Sequence, residues 1–113
     1  MKALLAFAFL ATACTTAAQP QRWTGAYVFH FETSAFHPDG SEEQWWVASA
    51  NAEAASQLRA ALHTDAAGPP WGEARVTLEG NLSAPGRWGH LGAYTRELSV
   101  TRVIAASPPP ADN

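Results

Sequence analysis

From Gly25 to Phe31 the chain alternates without a break. Tyr27, Phe29 and Phe31 fall on one side, and Ala26, Val28 and His30 on the other. This is the period of a half-buried strand. The chain of 113 residues has a single cysteine, Cys14, so no internal disulfide can brace it. An aromatic strand face of this kind must then be buried by packing alone. Phe36 falls off the parity, which predicts a bulge or bend near Ser34-Ala35. His37-Pro38-Asp39-Gly40 reads as a turn, because Pro38 presets φ and Gly40 tolerates positive φ. The next strand is expected from Gln44 to Ala48, with Trp45 and Trp46 directed to opposite faces.

Asn51 to Thr64 is the one segment with a helical pattern. Asn51 can cap it, Glu53 lies in the first turn, and the interior is rich in alanine. Ala54 or Ala55, Leu58, Ala61 and Leu62 make one apolar stripe, and Gly68-Pro69-Pro70 ends any continuation. A strand follows from Ala74 to Ser83, with Val76, Leu78 and Leu82 on one face and Gly80 marking a bend in the row. The last strand runs from Arg96 to Ile104 with Leu98 and Val100 inward, and the loop Ala84 to Thr95 between these two is rich in glycine. The expected class is mainly β: a small OB-like five-stranded barrel with one mid-chain α-helix plugging an end. Four strands are visible; the fifth is either Thr33 to Phe36 or Trp88 to Tyr94.

The first residues read as an address. Lys2 precedes an uncharged run from Ala3 to Ala13, too short for the roughly 20 residues that span a bilayer. Charge, short apolar core and small residues are the grammar of bacterial export, so residues 1–18 are expected to be a signal peptide. Two cleavages stay open. Cutting before a lipid-modified Cys14 leaves an anchored lipoprotein, although Ala11 stands where leucine is usual. Cutting after Ala13 or Ala18 leaves a freely soluble protein. With a lipid, Thr15 to Gln21 is the tether, and a chain anchored in this way touches the membrane through the lipid alone. The domain is expected over 19–106 and a disordered tail over 107–113, where Pro108-Pro109-Pro110 stand.

Composition narrows the function. Lys2 is the sole lysine, so the rest of the chain carries six arginines against ten acids, a net −4. No basic patch appears in sequence, which argues against nucleic acid and against attraction to anionic lipid. The four histidines, at 30, 37, 63 and 90, show no metal-ligand spacing on one element, and no metal or other cofactor is expected. No serine sits in a nucleophile elbow and no carboxylate pair stands out, so the chain is read as non-enzymatic.

The best candidate site is the glycine loop. Gly89-His90-Leu91-Gly92 sets an imidazole between two glycines, flanked by Trp88 and Tyr94. Read functionally, the aromatics stack, His90 donates or accepts, and Arg87 or Arg96 takes an anionic group. Read structurally, the glycines make tight turns, His90 bonds to backbone, and Trp88 and Tyr94 cap the barrel mouth.

Three stretches, Gly80-Asn81-Leu82-Ser83, then Gly86-Arg87-Trp88-Gly89-His90-Leu91-Gly92-Ala93-Tyr94, then Arg96-Glu97-Leu98-Ser99-Val100, together resemble a signature of small exported bacterial proteins of unknown function. Phe36-His37-Pro38-Asp39-Gly40 followed by Trp45-Trp46 is similar to the same group. The layout also resembles the OB domain of NlpE-type envelope lipoproteins, whose cysteines are missing here, so stress sensing and copper handling are not carried over. The resemblance implies the fold and the envelope but no activity. The expectation is a monomeric envelope binding module that meets a protein partner through loop 84–95. The alternative is a periplasmic small-ligand or metal-binding domain using His90 and Tyr94.

Overall fold

The computed structural model describes residues 20–66 and 68–110; residues 1–18, expected to be an export signal, and with them Cys14, lie outside the described residues. The elements are β1 (Gln21–His30), β2 (Thr33–Pro38), β3 (Trp45–Ser49), α1 (Ala52–Ala61), the two-residue β4 (His63–Thr64), β5 (Gly72–Leu82) and β6 (Glu97–Ser107). The sheet order is β1-β2-β3-β6-β5, and β1 pairs again with β5, which closes a five-stranded barrel. β4 adds a short edge to β5. β3 and β6 are parallel and the other barrel neighbours antiparallel. With its helix between the third and fourth barrel strands, this is a small OB-like barrel.

β1 turns directly into β2, with His30 paired to Thr33 and Tyr27 to Phe36. The off-parity Phe36 therefore marks a two-residue hairpin at Phe31-Glu32, not a bulge at Ser34-Ala35. The hairpin reverses which parity faces inward, so Tyr27 and Phe36 are both buried while Phe31 is 74% exposed. Phe31 thus departs from the inward face expected of it. The fifth strand is β2, and Trp88 and Tyr94 form only an isolated bridge. β2 continues through Pro38, and the turn follows it, with Ser41 N–H donating to Pro38 O and Gly40 at φ 76.

The core gathers one face of each element: Phe36, Val76, Leu78, Leu98 and Val100 are fully buried, and Trp45 meets Trp23 edge-on at 5.4 Å. α1 closes this core with Ala54, Leu58 and Ala61. Its Asn51 cap forms as expected, with Oδ1 accepting from Ala54 N–H at 2.7 Å. The helix stops at Ala61, short of Thr64, because His63 and Thr64 pair with Glu73 and Gly72. At Gly80 a Cβ would lie 2.3 Å from Ser99 O, and the β5–β6 ladder shifts register between Glu79 and Gly80; the sheet coils there. β6 runs on through Ser107, opposite Arg75, so Ser107 belongs to the barrel and not to a tail. Arg75 also holds Asp39, whose carboxyl it keeps below the ordinary 3.8.

Candidate functional site

The loop between β5 and β6 is zipped from its base upward. Glu97 N–H donates to Ser83 Oγ at 2.8 Å, and Arg96 Nη1 donates to Ser83 O at 2.9 Å. Gly86 N–H reaches Thr95 O at 2.9 Å, and Trp88 and Tyr94 exchange both backbone bonds, at 2.9 and 3.1 Å. Trp88 is half-buried, and its indole N–H donates to Ala84 O at 3.1 Å. Backbone satisfied in this way leaves little freedom to the base of the loop.

Trp46 carries the upper part. It rises from β3 on the face opposite buried Trp45, and Tyr94 meets it edge-on at 5.3 Å. Gly89 lies flat on the same ring: a Cβ there would stand 2.4 Å from Trp46 Cδ2, and φ is 70. Only glycine permits both that approach and that φ. Gly92 closes the tip with N–H to Gly89 O at 3.1 Å, and the Arg87 guanidinium lies beside it.

The tip reaches the β1–β2 hairpin. His90 Nε2 stands 3.3 Å from Glu32 Oε1. On the other flank of the hairpin His30 pairs with Asp65 and stacks nearly parallel on Trp71. A histidine and a carboxylate thus meet on either flank of the hairpin, and Phe31 in its turn is left exposed. Phe31 and Leu91, 74% and 81% exposed, are the exposed large hydrophobic residues among those described. They sit on the two loops that His90 and Glu32 join.

Both loops are strained at this point. Glu32 (φ 59) and Leu91 (φ 58) are the non-glycine residues at positive φ among those described. Glu32 occupies a turn position that usually takes glycine or asparagine. Leucine has no local hydrogen bond to offset the left-handed conformation, whose cost is roughly 1–2 kcal/mol. Strain of this kind gathers where a surface is shaped for contact.

Of the five residues singled out from the sequence, His90 faces Glu32 and Tyr94 faces Trp46. Trp88 braces the loop and Arg87 lines its tip. Arg96 holds the base, bonded to Ser83 and 3.9 Å from Glu43. The structure adds Phe31, Glu32 and Leu91, which sequence reasoning missed. The signal was the two-residue gap between alternating runs, but Phe-Glu lacks the glycine or asparagine that announces a hairpin. Among the described residues no group of three or more His, Cys, Asp or Glu could hold a metal ion. Comparison with protein-family models, curated proteins and solved structures gave no match.

Proposed function

We propose that this chain is a cell-envelope binding module without catalytic activity, which grips a protein partner with the joined tips of the hairpin and loop 84–95. The observation that carries this reading is the presence of two exposed hydrophobic side chains, Phe31 and Leu91, on two strained loops that meet where His90 Nε2 stands 3.3 Å from Glu32 Oε1. Apolar tips ringed by charged groups suit a protein surface, which buries the tips and leaves the rim wet. Fold-level analogy adds support. In OB barrels the loop after the first strand and the loop between the fourth and fifth form the ligand face, and these are the two loops joined here. Nucleic acid, a frequent OB ligand, is disfavoured by the net −4 outside the leader.

The proposal places the module on the outer membrane, facing the periplasm, with Cys14 as its lipid attachment; the soluble secreted form is the alternative. β1 begins at Gln21 and ends at His30 beside the hairpin. Ten residues of strand span at most about 33 Å, so a tether entering at Gln21 leaves the Phe31–Leu91 end turned away from the anchor. Mass spectrometry of the mature chain from its native envelope is expected to show a start at Cys14 carrying acyl chains. A start at Gln19 removes the anchor from the proposal.

A photoreactive amino acid placed at residue 91 or 31, in the native envelope, is expected to capture the same discrete partner. One placed at the solvent-facing Glu53 of α1 is expected not to. Leu91→Asn should weaken capture from residue 31 while raising stability by about 0.5–1 kcal/mol, since asparagine tolerates left-handed backbone and Leu91 gives up no packing. Identical adducts from residues 53 and 91, or capture from residue 31 undiminished by Leu91→Asn, would overturn this reading.

A further inference from the structure

A second cleft lies between α1 and strands β1, β2 and β3, with a volume of about 300 Å³. Phe29 and Trp46 wall it, Val47 and Leu58 form its floor, and Ala55 and Leu62 line the helix side. The wall also holds Tyr27 and Ser34, but their polar atoms are already engaged. The Tyr27 hydroxyl bonds to Ser34, whose Oγ donates to Val47 O at 3.1 Å, and burial pushes the Tyr27 phenol pKa upward. No buried side-chain polar atom among the described residues lacks a partner. An apolar group entering the cleft therefore leaves nothing unsatisfied behind it.

The mouth differs from the interior. Arg59 stands on the rim, exposed, and among the described residues its side chain makes no ion pair or hydrogen bond, while Ser49 supplies a hydroxyl on the same rim. At about 30 Å³ for a water-sized group, 300 Å³ accepts about ten non-hydrogen atoms. An apolar interior with one unpaired guanidinium at its mouth is complementary to a short amphiphile with an anionic head. We propose that this cleft binds a monocarboxylate with an unbranched apolar body, of the medium-chain fatty-acid class, its carboxylate on Arg59 and its tail against Trp46, Val47 and Leu58. The cleft shares Trp46 with the support of loop 84–95, but none of its lining residues belongs to the hairpin tip or to that loop, so its occupant is tested apart from the Phe31–Leu91 face.

Arginine in the last turn of a helix is also favoured by the helix dipole, so the head group must be tested directly. Octanoate, octanol and octylamine are titrated into the folded protein, following the amide and methyl signals of Val47 and Leu58 and the Trp46 indole. Octanoate is expected to saturate with a Kd on the order of 0.1–1 mM, with octanol about fivefold weaker and octylamine weaker still. Arg59→Gln should bring octanoate down to the octanol value and leave octanol unchanged. Ala55→Phe, which fills the cleft from the helix side, should abolish both. Three results overturn the proposal: no saturable shift at Val47 and Leu58, equal affinity of the wild type for octanoate and octanol, or shifts confined to the Phe31–Leu91 end.

Discussion

Phe36→Ala is expected to lower the unfolding free energy by about 3–5 kcal/mol. Phe36 has no exposed surface, is paired directly with Tyr27 across the hairpin, and packs 6.0 Å from the Trp45 ring. The cavity left by alanine is walled by strands on several sides of a closed barrel, and such a wall collapses poorly. A domain of this size has roughly 5–15 kcal/mol in total, so one side chain controls a large share of it. Phe36→Leu keeps most of the volume and should cost about 1 kcal/mol. Urea unfolding followed by tryptophan fluorescence measures both. A loss under about 1 kcal/mol for Phe36→Ala would mean that the core does not close around this ring.

The same residue shows where sequence reasoning stops. Its failure to keep step with Tyr27 and Phe29 was visible, but a break in parity has two causes, a bulge or a reversal of direction. A reversal normally announces itself with glycine or asparagine, and Phe31-Glu32 carries neither. The helix was legible because its signals are local: the Asn51 cap and the alanine-rich stripe lie within one stretch of chain. Its end was less so, because His63 and Thr64 leave the helix to pair with β5, a non-local contact. The candidate face follows the same division. The glycine loop could be read as a compact unit, and Gly89 proves to lie on Trp46. Its partner across the barrel mouth is Glu32, whose contact with His90 depends on how five strands close. No pattern in either segment encodes that meeting.

Closure itself makes the second large prediction. Gly25 sits in β1 where the strand is paired on both sides, with Pro38 of β2 and Val76 of β5. An added Cβ would stand 2.1 Å from His37 O and 2.9 Å from Pro38 Cα. Carbon and carbonyl oxygen normally come no closer than about 3.3 Å, so β1 and β2 must part by roughly 1 Å. Both neighbours are backbone and cannot swing aside. The bond from Asp39 N–H to Thr24 O, 2.9 Å long, lies next to the clash and is lost with it. In open space Gly→Ala at an ordinary φ stabilises by about 0.4–1 kcal/mol through the unfolded chain. Here the clash reverses the sign, and Gly25→Ala is expected to lose about 3 kcal/mol or to leave the barrel unfolded. Gly40→Ala is the contrast: nothing lies within 4 Å of its Cβ position, and only its φ of 76 opposes alanine, for a loss of about 1 kcal/mol. Thermal and urea unfolding of the two variants side by side separate the two causes. If Gly40→Ala proves as damaging as Gly25→Ala, then backbone conformation and not the β1–β2 approach sets the cost of closure.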